Sequence, residues 1–272
     1  MYAYDFEYDG KLLSEYGFMV CRFDEAGGPE AADAGSEITF VTAPMQAGKR
    51  FVAGGSKYDK CLTTTFQICK NPCDFNAEEM EISADEFRAL SRWLNRREFL
   101  WFHNYDWQEP EKIRPWVRAS FSLAKIEIGG VTYGIELTMT TDSPFGYGEE
   151  IVEEFTFTQN KLSELLVDYN DEIGETYPAL TITCGSAGTL TISDDRTDCE
   201  CSVDNCISGE VISFSGDTQI ITSSNALHDL ANDFNYDFFR FGNTFDDREN
   251  TVTVNMPCTV ELRYRPIWKD TL

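Results

Sequence analysis

The sequence predicts a mainly β chain with one α-helix, arranged as two successive sandwich- or barrel-like domains. Three observations carry this expectation. Short β-branched and aromatic runs recur every 8 to 12 residues, roughly, between Gly, Pro, Asn and Asp breakers. A single stretch, 84–97, has helical rather than alternating periodicity. The segment DSPFGYGEE (142–150) gathers Pro144, Gly146, Gly148 and the Glu149–Glu150 pair between strand patterns. It marks a boundary that gives domains 1–143 and 144–272.

Taken in order, Tyr2, Tyr4, Phe6 and Tyr8 alternate, YDGKLLSEYG turns the chain, and Phe18, Val20 and Phe23 begin the next strand. Residues 24–37, DEAGGPEAADAGSE, lack periodicity and read as a loop. SEITFVTAP and CLTTTFQICKN read as strands. Between them MQAGKRFVAGGSKYDK carries Gly48, Gly54 and Gly55, which permit tight bends, and several of the scarce cations. The helix at 84–97 opens with a Ser83/Glu86 capping box. Asp85 and Glu86 suit its positive end, and Arg92, Arg96 and Arg97 its negative end. Phe87, Leu90 and Leu94 form its apolar stripe, with Trp93 at the margin.

EFLWF and WVRASFSLAKIEIGGVTYGIELTMTTDS return to strands, with a hairpin around Gly129–Gly130. Beyond the boundary, ALTITCGSAGTLTISDD reads as a hairpin in which Leu180 and Ile182 face Leu190 and Ile192. CISGEVISFSGDTQIITSS reads as another. In DFFRFGNTFDDRENTVTV (237–254), a strand with Phe239 and Phe241 on its core face and Phe238 on the other leads through a turn to an Asn-Thr-Val strand. That strand is expected to pair toward TVELRYRPIW.

The chain has 272 residues, 42% of them apolar, with 20 Phe and 12 Tyr, enough to bury a core. Its 22 Lys and Arg against 47 Asp and Glu leave a net charge of −25. Such a surface repels nucleic acid and supplies no electrostatic term for holding phosphates. It serves solubility, or a wall along which DNA passes without sticking. The opening MYAYDFEYDG lacks a basic region and a long apolar run, so no secretory leader is expected. The apolar runs are too short for a membrane-spanning helix. Without a secretory context the 9 Cys are expected to be reduced.

Catalytic chemistry finds little support. His103 and His228, the only 2 His, have no Ser, Cys or carboxylate at a motif spacing. Cys199, Cys201 and Cys206 follow C-x-C-x₄-C, with Cys184 as a fourth candidate. This departs from paired zinc-ligand spacings, and free thiols on strands or a surface loop are the favoured reading. Asp194, Asp195, Asp198, Glu200 and Asp204 fail the EF-hand pattern, because its glycine and glutamate positions fall on Cys199 and Asn205. A solvated acidic loop is expected instead. No phosphate loop or dinucleotide fingerprint is present. The expectation is no enzyme, no catalytic residue, no metal and no cofactor.

A family resemblance adds to this reading. FEYDGKLLSEYGFMV, SADEFRALSRWLNRREF, VTYGIELTMTTDSPFGYG, PALTITCGSAGTLTI, GEVISFSGDTQII, DFFRFGNTFDDRENTVTV and VELRYRPIWK occur in that order. Together they resemble the distal tail proteins (Dit) of siphophages that infect Gram-positive bacteria. Two departures are Arg248–Glu249, where Gly is common, and Ser215, where Asp is expected.

The resemblance implies a tail-tube-like β-sandwich or barrel with one helix in 1–143, and a galectin-like outer β-sandwich in 144–272. It implies a virion protein at the tail tip. Six copies, in one ring or two stacked rings, would join the tail-tube protein to a tail-tip or tail-fibre protein. DNA would pass through without specific binding. A closed ring needs two different patches that meet. The cation-bearing segment around Lys49, Arg50, Lys57, Tyr58 and Lys60 is the candidate ring interface. The alternative function is carbohydrate binding at the host wall through the galectin-like domain.

Overall fold

The computed structural model describes residues 3–23, 37–45, 48–57, 60–106 and 114–269. They form two compact units. One runs to Gly148 and includes Trp268, and the other is Glu149–Ile267. No described helix is long and apolar enough to cross a membrane.

The first unit contains β1 (Ala3–Tyr8), β2 (Lys11–Leu12), β3 (Phe18–Cys21), β4 (Glu37–Met45), β5 (Gly48–Lys57), β6 (Thr63–Lys70), α1 (Ala84–Leu94), β7 (Leu100–Asp106), β8 (Val117–Ile128), β9 (Val131–Thr141) and β10 (Gly146–Tyr147). Seven of these strands make one antiparallel sheet in the order β2-β1-β7-β8-β9-β6-β3. Its hairpin turns are local. Asp9 and Gly10 (φ 54° and 70°) join β1 to β2, and Gly129 and Gly130 (φ 63° and 84°) join β8 to β9. Positive φ at both central residues matches the strand twist.

The core of this unit is a nest of rings. Phe6 is fully buried and meets Phe66, Trp93, Phe102 and Phe121 at centroid separations of 5.3–6.1 Å. Helix α1 closes over it. Ser83 Oγ accepts from the Glu86 N–H, and the Glu86 carboxylate accepts from the Ser83 N–H at 2.8 Å, as a capping box requires. Lys70, 6% exposed, pairs with Glu86 at 2.8 Å and donates to the carbonyls of Glu79 and Glu81.

Two expectations need correction here. Trp93 is core rather than marginal: it stacks on Tyr16 at 4.5 Å, and its indole N–H donates to the Tyr8 carbonyl at 3.1 Å. The helix stops at Leu94 rather than residue 97, because Asn95 leaves helical geometry (ψ 81°). Arg96 then finds tertiary partners, its guanidinium on Asp9 at 3.2 Å and its carbonyl on the Ser120 hydroxyl at 2.8 Å.

The second unit is a two-sheet sandwich. Its strands are β11 (Ile151–Phe157), β12 (Ser163–Val167), β13 (Glu175–Thr176), β14 (Ala179–Cys184), β15 (Gly188–Asp194), β16 (Glu200–Cys206), β17 (Val211–Ser215), β18 (Ile220–Ser223), β19 (Phe241–Gly242), β20 (Glu249–Val254), β21 (Cys258–Tyr264) and β22 (Ile267–Trp268), which runs out of the unit at Trp268. A four-residue helix, α2 (Leu230–Asp233), precedes β19. One sheet runs β11-β21-β14-β17-β18, the other β12-β20-β15-β16, and β13 pairs with β19. Alternate residues of both sheets face one apolar core that includes Leu180, Ile182, Leu190, Ile192, Val252 and Val260.

The pairing overturns two expected hairpins. β14 and β15 lie in different sheets, so Leu180 and Ile182 belong to the same core as Leu190 and Ile192 without sharing a ladder with them. The crossover is tight at Gly185, whose N–H donates to the Pro257 carbonyl at 2.9 Å. A Cβ there would sit 2.6 Å from that oxygen. Likewise β20 pairs with β12 and β15, not with β21. Between β20 and β21 the chain changes sheet through Asn255, whose side chain bonds the Thr191 N–H and the Thr189 carbonyl at 2.8 Å each. The β17–β18 hairpin forms as expected. Ser215 Oγ accepts from the Thr218 hydroxyl at 2.7 Å, the turn role an Asp would fill.

Candidate functional site

The segment that holds the candidate ring-interface residues forms a backbone feature of its own. Among the described residues β4 and β5 pair only with each other, as a two-strand ribbon with Glu37 opposite Lys57 and Met45 opposite Gly48. The sequence pattern suggested bends here, yet Gly54 and Gly55 lie within β5. Thr39 faces Gly55 and Phe40 faces Ala53, leaving Gly54 as the extra residue of a bulge. Lys49 and Arg50 stand on β5 opposite Pro44 and Ala43. The side chains of Lys49, Arg50 and Lys57, and all of Tyr58, lie outside the described residues. Lys60 is exposed, three residues before β6.

In the second unit, DFFRFGNTFDDRENTVTV is mostly irregular, with only Phe241–Gly242 in strand before β20. Side chains replace the ladder. Asp237 accepts from the Glu200 N–H and from Arg240, and Asn235 bonds both the N–H of Ser202 and the carbonyl of Glu200. Phe239 and Phe241 are buried, and Phe238 packs half-buried against Phe214 and Phe234. Phe245 is 84% exposed.

Beside Phe245 lies a cleft of about 370 Å³ whose lining includes Glu175, Asp195, Arg196, Thr197, Asn243 and Thr244. Its polar groups are committed internally. Arg196 pairs with Asp247 and donates to the Glu249 carbonyl. Asn243 donates to the carbonyls of Asn170 and Glu172, and Asp195 accepts from the Thr251 N–H. Beneath it sits a buried amide-carboxylate network. Asp168 accepts from the backbone and side chain of Asn170, and Asn250 accepts from the Gly242 N–H while donating to the Arg248 carbonyl. Burial pushes the Asp168 carboxyl up from its ordinary range. The acidic loop is not simply solvated. Asp194 is 5% exposed and accepts from the N–H groups of Arg196 and Thr197.

The cysteine cluster of the sequence divides. Cys199 donates to the Phe238 carbonyl at 3.4 Å, and Cys201 is buried in the same core. Cys206 instead joins Cys184. The Cys206 sulfur donates to the Val203 carbonyl at 3.4 Å, and the interaction between the two neighbouring thiols holds Cys184 above and Cys206 below the ordinary thiol range. Beside them lie Glu210 and His228. His228 Nδ1 is 2.5 Å from Glu210 Oε1, and its Nε2 is 2.8 Å from the Asp204 carbonyl. Burial pulls His228 down, but Glu210 outweighs it and leaves the imidazole raised. The spacing of 18 residues between Glu210 and His228 carried no signal of this contact. His103, in the first unit, stacks on Trp116 at 4.6 Å.

Among the described residues the geometry therefore offers a two-stranded ribbon, an occupied cleft and a buried Cys-Glu-His cluster. Comparison with known proteins agrees with a structural role. A profile described as a phage tail protein N-terminal domain matches residues 1–143, and one described as a phage tail C-terminal domain matches 145–264. No curated protein matches the sequence. Among solved structures, the SPP1 Dit (gp 19.1) protein is similar with a TM-score of 0.65 at 12% identity, covering 96% of this chain and 98% of that one. That structure is described as a paradigm of the hub adsorption apparatus in phages infecting Gram-positive bacteria. A chain of the phage P2 baseplate, in its activated conformation with Ca, is similar with a TM-score of 0.51 at 10% identity, covering 99% of both chains. The chain belongs to the phage tail proteins and carries the fold of a Dit-type distal tail protein.

Proposed function

We propose that this chain is the hub of a phage tail tip, a homo-hexameric ring joining the tail tube to the tail-tip or receptor-binding proteins. DNA passes through its lumen. Residues 1–143 form the ring and 144–272 the outer domain. The observation that supports this reading is the β4–β5 ribbon, beside which no other strand pairs among the described residues. A two-stranded ribbon is marginally stable alone in water. Docking on a neighbouring subunit supplies the missing contact, and Lys49, Arg50 and Lys57 on or at the end of β5 suit a neighbour that carries a large acidic excess. A heterologous contact of this kind closes a ring when the rotation allows it.

The net charge of −25 per chain fits the same reading. Acids along a lumen repel phosphates, so DNA slides without being retained. The protein then acts in the virion, without catalysis. Glycan binding by the second unit is the weaker reading. Its cleft has an exposed Phe beside it, but the surrounding polar groups already have internal partners.

The test is mass measurement with negative-stain imaging of the purified chain. Rings of six or twelve copies are expected, and the Lys49→Glu/Arg50→Glu variant should remain folded but monomeric. A wild-type monomer that binds a glycan array would replace the hub reading with the alternative. Rings that persist in the charge-reversed variant would move the interface away from the ribbon.

A further inference from the structure

β16 is the last strand of its sheet, and such a strand leaves a row of backbone groups on which another chain can pair. Here the row is taken up by the segment that follows β18. The Glu200 N–H donates to the Asp237 carboxylate at 3.0 Å, and the Ser202 N–H to the Asn235 side chain at 3.1 Å. The Glu200 carbonyl accepts from the Asn235 side-chain amide at 2.6 Å, and the Ser202 carbonyl from the Asn235 N–H at 3.1 Å. The next outward carbonyl, that of Asp204, lies 2.8 Å from His228 Nε2. Side chains thus stand in for a neighbouring strand.

The two ends of this cover are held differently. At the far end Phe234, 3% exposed, sits in the core and bridges to Val203, and Asp237 is tied to Arg240 at 2.6 Å. The near end, 224–233, carries the 94% exposed Leu227 and a half-buried Leu230. Its buried anchor is the His228 side chain, which is 1% exposed.

Both nitrogens of that ring face acceptors. Nε2 faces the Asp204 carbonyl, with Asp233 Oδ2 at 3.4 Å, and Nδ1 faces a Glu210 oxygen at 2.5 Å. A neutral imidazole has one N–H. It satisfies one of these contacts and turns a lone pair on the other, whereas the doubly protonated ring satisfies both. Glu210 is fixed in place, because its carboxylate accepts from the Ile207 N–H at 2.8 Å and from the Ser223 hydroxyl. The other titratable groups at the ring are Asp233 on α2 and Cys206 on β16, with Cys184 of β14 beside Cys206.

We propose that residues 224–233 are a proton-latched cover at the β16 edge, held closed by the His228 imidazolium between Glu210 and Asp204, and released about a hinge at Phe234 when one imidazole proton leaves for solvent. Closure then spans a defined pH interval. Burial lowers His228, but Glu210 and the Asp204 carbonyl raise it above its ordinary 6.5. Burial raises Glu210, but Ser223, His228 and Ile207 bring it below its ordinary 4.5. The His228 contribution is complete below pH 6.5 and is lost as the pH rises through the folded value. The Glu210 contribution is complete above pH 4.5 and is lost as the pH falls through its folded value. From neutral pH, the latch therefore opens on the alkaline side.

The test is hydrogen–deuterium exchange of the full chain, read at single residues by mass spectrometry from about pH 5 to about pH 9 and corrected for intrinsic exchange. The reporters are the amides of Asp233 and Phe234, which donate to the carbonyls of Asp229 and Leu230. Their protection should hold through the acid half of the series. It should then fall by about tenfold per pH unit above the folded His228 value, as release of one proton requires. The amides of Glu200 and Ser202, covered from the anchored end, should stay protected throughout. His228→Gln should leave the reporters weakly protected at every pH, and Glu210→Gln should move the transition to lower pH. Cys206→Ser should keep the transition, since the thiol is not the latch. If His228→Gln does not fold, the wild-type series and Glu210→Gln carry the test. Overturning results are reporters with flat protection across the series, Glu200 and Ser202 opening together with them, a midpoint untouched by Glu210→Gln, or a transition that disappears in Cys206→Ser.

Discussion

The two units bury comparable sheets by different means. The first fills its interior with rings around Phe6, which has neighbours on several sides and no polar atom to satisfy. The second uses smaller residues, many of them aliphatic or Cys, and places directional polar groups at the margins of its core: Asp168, Asn170 and Asn250 are each 2% exposed or less. Ring packing is sensitive to volume, and amide networks are sensitive to the identity of single atoms. One unit should therefore fail by cavity formation and the other by an unpaired donor.

The distribution of Trp makes the comparison measurable. All five Trp lie outside residues 149–267, so Trp fluorescence follows the first unit, and circular dichroism follows both. The largest expected effect is Phe6→Ala, which should cost about 3–5 kcal/mol and move the fluorescence-detected urea midpoint. A loss under about 1 kcal/mol would mean that the ring nest collapses to refill the space. Asn250→Ala should cost about 1–3 kcal/mol by leaving the buried Gly242 N–H without its acceptor. That change should appear in the dichroism transition and leave the fluorescence transition in place; a shift of both would break the separation between units. Phe245→Ser should change stability by under about 0.5 kcal/mol, because its ring is 84% exposed. A larger loss in thermal melting would show that this ring is covered in solution.

What was legible in the sequence was local. The Ser83–Glu86 box and the Gly129–Gly130 turn close on partners three residues away or fewer, so their chemistry is visible in a short window. The alternation around Leu180 and Leu190 identified strands but could not say whether the next strand joins the same sheet or the facing one, since both arrangements bury the same residues. β5 was missed because its glycines suggested bends, whereas one of them is a bulge. The cysteine cluster was half legible. Cys206 lies within 4.8 Å of side-chain atoms of Glu210 and His228, which arrive through a loop return that no spacing rule encodes.

The strand order of the second unit also has a consequence in time. β21 lies between β11 and β14, with Ile151 opposite Tyr264 and Leu180 opposite Leu262. The first strand made by the ribosome in this unit must wait more than a hundred residues for its neighbour. Until β21 emerges, two strands expose unpaired backbone edges and a half-covered apolar face. The second unit therefore completes its sheet only once nearly all of it has been synthesised. A chain cut short before β21 would lose the centre of a sheet rather than its edge, and proteases would clear such a product before it could enter an assembly.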